Sequence, residues 1–101
     1  MGIDYARQKL REAVDILATG TGSLQQRLAQ AYIPHIAVIH PTDDIRKAMS
    51  PTFADLKKYF EIRQDSGIGD AEASALALTN EEAQAAAQLI VDLFCDAMRK
   101  V

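Results

Sequence analysis

The chain has 101 residues, of which 49% are hydrophobic and 25% are charged, and its formal net charge is −3. This composition is typical of one ordinary globular domain and excludes a disordered or fibrous chain. No stretch approaches the ~20 apolar residues that a transmembrane helix needs, and the basic residues are interleaved with acidic ones, which argues against a nucleic-acid-binding surface.

Cys95 is the only cysteine, which excludes an intrachain disulfide. Unpaired thiols persist in reducing compartments, and the N-terminal residues MGIDYARQ lack the apolar run of a signal peptide. We therefore expect a soluble cytoplasmic protein with no membrane association. Because Cys95 lies next to Phe94, a predicted core residue, we expect its thiol to be buried.

The first helix is predicted over residues 4–19. Asp4 is placed to cap its first turn, and Gly20 follows its last turn, where glycine adopts the left-handed conformation at low cost. The apolar residues of this segment recur at the spacing of one helix face: Ile3, Leu10, Val14 and Leu17.

The second helix is predicted over residues 24–39, with a kink at Pro34, which lacks the amide hydrogen that a regular helix needs. Residues 35–40, HIAVIH, are mostly β-branched or apolar, so a strand is the alternative there. We favour the kinked helix because no second segment shows the alternation of a pairing strand. Capping boxes are predicted at the starts of two helices: Ser23 with Gln26, and Thr79 with Glu82.

A third helix is predicted over residues 51–64, after a serine and a proline that are typical of a helix start. Its inward side contains three residues at helical spacing: Phe53, Leu56 and Phe60. Short helical turns are predicted near residues 43–49 and 71–78.

The last helix, over residues 79–100, is predicted to be the central packing helix. Its apolar residues recur at alternating steps of four and three: Ala83, Ala87, Ile90, Phe94, Ala97 and Val101. Leu89, Leu93 and Met98 widen this stripe, so we expect the helix to contact two or more neighbours. Four main helices with short connections predict an all-α, four-helix bundle-like fold, with residues 1–101 in a single domain.

The sequence shows no nucleophile and base at a catalytic spacing, so it offers no evidence for an enzyme, and we expect no cofactor. The leading hypothesis is a small protein-interaction module that forms a homodimer or binds another protein. It rests on apolar surface in excess of what one core requires. The predicted interface consists of Ile36, Ile39, Leu89, Leu93 and Met98.

Two alternatives remain open. A helical bundle can hold a small ligand or a metal ion between its helices. The candidate ligand-binding residues are His35, His40 and Tyr32, and the candidate metal ligands are His40, Asp43 and Asp44. A nucleic-acid-binding regulator that uses the helix starting at Ser50 is disfavoured by the charge balance.

Overall fold

The computed structural model describes residues 2–61 and 70–99, and within these ranges the protein is all-α, with five α-helices and no strand. The predicted fold class is therefore confirmed. The helices are α1 (Ile3–Thr19), α2 (Leu24–Ala31), α3 (Ser50–Lys58), α4 (Asp70–Leu76) and α5 (Asn80–Met98). A π-helical segment, Tyr32–Ile36, continues α2, and a 3-10 turn, Lys47–Met49, leads into α3. Within the described ranges, no helix has both the length and the apolar character needed to span a bilayer.

The predicted helix bounds agree with the observed ones most closely at α1 and α5. The α-helical part of α3 ends at Lys58, earlier than predicted, and the chain continues in a turn as far as Phe60. Residues 62–64 of the predicted third helix, and Lys100 and Val101 of the predicted last one, lie outside the described residues.

Both capping boxes form as predicted. The hydroxyl of Ser23 accepts a hydrogen bond from the Gln26 amide at 3.1 Å, and the Gln26 side chain accepts one from the Ser23 amide at 2.9 Å. Thr79 and Glu82 make the same reciprocal pair at 3.1 and 2.9 Å. Each box satisfies amides that have no partner inside the first turn of a helix, and so fixes where α2 and α5 begin.

Two details predicted for α1 are wrong. The residue before the helix is Gly2, which has no side chain to cap it, and Asp4 lies inside the first turn, where it forms an ion pair of 2.7 Å with Arg7. Gly20 has a φ of −68°, so it is not left-handed. A glycine is needed there for space, because a Cβ atom would lie 2.5 Å from the carbonyl oxygen of Ile16.

The predicted kink at Pro34 takes the form of a π-helical segment. Proline cannot donate to the carbonyl of Gln30, and the turn widens so that the Ala37 amide donates to the Tyr32 carbonyl at 2.8 Å. The helix ends at Ile36, not at residue 39, and the strand alternative is excluded.

Helix α5 packs against α1, α2 and α3, as expected of a central helix. The residues of α5 that are fully buried are Ala83, Ala86, Ile90, Leu93 and Ala97. Ala86 and Leu93 thus take the places that were predicted for Ala87 and Phe94, each one position earlier. Ala87 and Phe94, which were predicted to lie in the core, are half-buried. The displacement follows from packing against three helices, because the buried face is set by all three neighbours together.

Cys95 is exposed, so the prediction of a buried thiol is wrong. It lies on the side of α5 away from Ile90, Leu93 and Ala97, because successive helix residues are separated by about 100°.

Arginines from distant parts of the chain satisfy the carbonyl groups at the end of α5. Arg7 Nε donates to the Ala97 carbonyl at 2.5 Å. Arg46 donates to the carbonyls of Asp96 and Arg99, each at 2.6 Å. The last carbonyls of a helix have no partner inside it, so these bonds attach the end of α5 to α1 and to the turn before α3.

Candidate interaction surface

Tyr32, one of the predicted ligand-binding residues, lies in the core. Its ring stacks on that of Phe60 with centroids 3.8 Å apart and planes 9° from parallel. Burial, and to a smaller extent the negative charge of Glu61, raises the pKa of Tyr32 to about 12. The phenol therefore keeps its proton near neutral pH and contributes packing to the bundle.

The two histidines have different surroundings. His35 Nδ1 lies 3.6 Å from Glu12 Oε1, and Lys9 Nζ lies 3.4 Å from the same oxygen. His40 is more exposed, and its Nδ1 faces the amide and the hydroxyl of Thr42 at 3.3 and 3.0 Å. The first histidine thus belongs to a polar contact between the π-helical segment and α1, and the second to a local turn.

The carboxylate of Asp44 accepts hydrogen bonds from backbone amides of the protein itself. Its two carboxylate oxygens accept hydrogen bonds from the amides of His40 and Gly2, each at 2.7 Å. The bond from the His40 amide, followed by that from Gly2, lowers the pKa of Asp44. Asp43 Oδ2 lies 3.6 Å from His40 Nδ1. Among the described residues, no three His, Cys, Asp or Glu side chains are grouped so that they could hold a metal ion.

The five predicted interface residues separate into two groups. Ile36, Ile39 and Leu93 are 0%, 3% and 0% exposed and fill the core, so the folded chain does not offer them to a partner. Leu89 is half-buried at the edge of α5, and Met98 is 52% exposed. A contact surface on the folded chain can therefore include Leu89 or Met98, together with residues that were not predicted.

Met98 belongs to a channel between α1 and α5, which we call the long groove. The two helices run antiparallel, since Arg7 contacts the end of α5 while Leu17 lies near its beginning. The channel comprises two grooves of about 430 and 460 Å³, whose lining residues follow one another along both helices. The first is lined by Val14, Leu17, Ala18, Leu24, Gln84, Ala87, Gln88 and Val91. The second is lined by Arg7, Gln8, Arg11, Glu12, Asp15, Phe94 and Met98.

The long groove has an apolar floor and a charged rim. Val91 and Met98 are 37% and 52% exposed, and half-buried Phe94 lies between them along α5. Arg11 and Asp15 stand on the α1 rim and are exposed, and within the described part of the chain neither side chain has an ion-pair partner. The floor and rim resemble the apolar centre and polar edge of a protein–protein contact.

A second groove, of about 600 Å³, lies between α3 and α5. Its α5 wall extends only from Ala85 to Leu89, about one helical turn, and its α3 wall from Asp55 to Tyr59. A groove this short can accept a side chain but not the length of a helix.

The basic residues of α3 do not form an isolated positive patch. Lys57 Nζ lies 3.9 Å from Glu61, and Lys58 Nζ lies 3.5 Å from Asp55. These pairs are surface pairs at helical spacing, which stabilise the helix only slightly. They give no particular support to binding of a polyanion.

Several residues of the long groove were missed at the level of sequence. Val14 and Phe94 were assigned to the core, and Val91, Arg11 and Asp15 were given no binding role. The signal that could have identified Val91 is its position three residues before Phe94 and seven before Met98, which places the three on one helix face. Comparison with protein-family models, curated proteins and solved structures gave no significant match.

Proposed function

We propose that this protein is a small helical protein-interaction module that associates with itself through the long groove. The observation that carries the proposal is the line of Val91, Phe94 and Met98 along one edge of α5, left partly open to solvent between two antiparallel helices. Helix pairs with such an apolar channel bind other helices by burying that channel.

The chemistry of the groove favours docking over catalysis. Its floor consists of aliphatic and aromatic side chains, and the polar residues at its rim are carboxamides, arginines and carboxylates, among which Arg11 and Asp15 are exposed. Removal of the apolar floor from water is the available driving force, at about 25 cal/mol per Å² of apolar surface. The charges at the rim then determine the orientation of the bound partner more than they increase its affinity.

Cys95 supports an intracellular setting, which we include in the proposal. Its side chain is exposed on α5. In an oxidising compartment an exposed single thiol would form disulfides with other molecules. A reducing environment therefore suits the chain.

Sedimentation equilibrium tests the proposal directly. The wild-type protein is measured from about 5 to 500 μM, a range that resolves micromolar dissociation, in reducing buffer. We expect a monomer–dimer equilibrium for the wild type and a monomer for Val91→Glu, because a carboxylate at the centre of the interface would be buried without a partner.

Val38→Glu is the matched control, since Val38 is 47% exposed and lies outside the long groove. It should leave the equilibrium unchanged, and circular dichroism should show both variants folded. A wild-type protein that stays monomeric throughout, or equal weakening by the two substitutions, would contradict the proposal.

A further inference from the structure

We infer that the occupant of the long groove is the same groove of a second copy, laid antiparallel across a two-fold axis that passes close to Val91. This inference rests on the proposed function and adds to it the identity and the direction of the partner surface. Two features of the groove carry it: the register about Val91 and the charges on α1.

The register follows from a two-fold axis near Val91. Positions equally far before and after the axis face each other in a symmetric contact. Val91 then meets the partner's Val91, and Ala87 meets the partner's Cys95. The thiols of the two Cys95 residues are separated along the helices by about 12 Å, at 1.5 Å of rise per residue.

The charges on α1 complement themselves in the same arrangement. Val14 and Val91 line one groove, so the axis crosses α1 near Val14, between Arg11 and Asp15. In the antiparallel arrangement α1 lies over the partner's α1, and each Arg11 faces the partner's Asp15. Two reciprocal ion pairs form from groups that have no ion-pair partner among the described residues of one chain.

The size of the contact sets the expected strength. Two helix faces about 28 Å long and about 10 Å wide each cover roughly 560 Å² per copy, which is at the low end for specific protein complexes. We therefore expect a reversible dimer with micromolar dissociation.

Charge reversal tests the direction of the partner by sedimentation equilibrium. Arg11→Asp alone and Asp15→Arg alone should each raise the dimer dissociation constant about tenfold, because each replaces two attractions by repulsions. The double variant Arg11→Asp with Asp15→Arg should restore the wild-type value. Lys58→Asp, on α3 outside the long groove, is the control and should have no effect.

The competing arrangement predicts a different rescue. If the two-fold axis ran along the helices, α1 would lie over the partner's α5, and Arg11 would come near the partner's Asp92, an exposed residue of α5. Rescue of Arg11→Asp by Asp92→Arg, without rescue by Asp15→Arg, would overturn the antiparallel arrangement while leaving self-association intact.

Cysteine cross-linking provides a second readout that does not depend on charge. On oxidation with diamide, Ala87→Cys in the presence of native Cys95 should give a covalent dimer, and so should Val91→Cys in a Cys95→Ser background. The wild-type protein, with Cys95 alone, should stay largely uncross-linked. Rapid cross-linking of wild-type Cys95 to itself would contradict the inferred register, whereas absence of any dimer in sedimentation would contradict the proposed function.

Discussion

Arg7 Nε donates a hydrogen bond of 2.5 Å to the carbonyl oxygen of Ala97, 90 residues away in the chain. The bond joins the first turns of α1 to the last turn of α5 and so holds together the two walls of the long groove. The positive charge of the guanidinium group also interacts favourably with the negative end of the α5 helix dipole.

Replacement of Arg7 by methionine should destabilise the fold by about 1.5–3 kcal/mol, the usual effect of losing a hydrogen bond to a charged group. The variant keeps much of the side-chain volume, so the loss reports the bond together with the surface ion pair to Asp4, which contributes only about 0.3–0.5 kcal/mol. Urea denaturation at low protein concentration measures it. Arg11→Met, one turn further along α1, is the matched control, because Arg11 has no ion-pair partner within the described part of the chain. Equal losses in both variants would show that the Ala97 bond does not stabilise the fold.

Leu93 and Phe94 are neighbours in sequence and differ in their expected effect on stability. Leu93 is 0% exposed, so Leu93→Ala should cost about 3 kcal/mol through lost burial and a cavity. Phe94 is only half-buried at the groove, and Phe94→Ala should cost about 1–2 kcal/mol, below the usual range for a buried phenylalanine. Denaturant titrations of the two variants at low protein concentration compare them. The reverse order would contradict the observed placement of the α5 stripe.

The stability of the fold should depend on the charge of Asp44 at acid pH. Its carboxylate accepts amides from His40 and Gly2, and its pKa is lowered. The unfolded chain therefore binds a proton more readily than the folded one, so this contribution is full above about pH 4 and is lost as the pH falls below it. Urea midpoints from pH 7 to pH 2.5 measure the effect.

Asp44→Asn is the comparison for that experiment. It should be less stable than the wild type at pH 7, and the difference between the two proteins should shrink as the pH falls below about 4. Asp55→Asn on α3 is the control, since among the described residues Asp55 makes a surface pair with Lys58 and no other ion pair. A constant difference between wild type and Asp44→Asn across the titration would contradict the role of the carboxylate charge.

The parts of the fold that could be predicted are those fixed by neighbours in sequence. The capping boxes at Ser23 and Thr79 locate the starts of α2 and α5 because every group involved lies within one turn. Pro34 predicts a break in the helix because its missing amide hydrogen affects only the turn before it. The π-helical form of that break depends on how the chain repacks. The all-α class follows from helical periodicity along most of the chain.

The parts that could not be predicted depend on contacts between distant segments. The helical periodicity of α5 allows either Ala87 and Phe94 or Ala86 and Leu93 to be buried. Which pair is buried depends on the positions of α1, α2 and α3 around α5. Of the predicted interface residues, Met98 lines the long groove, and Val91 was not among the predicted residues, because the groove exists only where α1 lies against α5.

The most direct test of self-association through the long groove is a dilution series followed by two-dimensional amide NMR at constant buffer and temperature. The account predicts that concentration-dependent shifts concentrate on α1 and α5 around Arg11, Val14, Val91 and Cys95, and stay small at exposed Val38 and Leu76. Spectra that do not change up to millimolar concentration, or shifts centred on Val38 and Leu76, would contradict it.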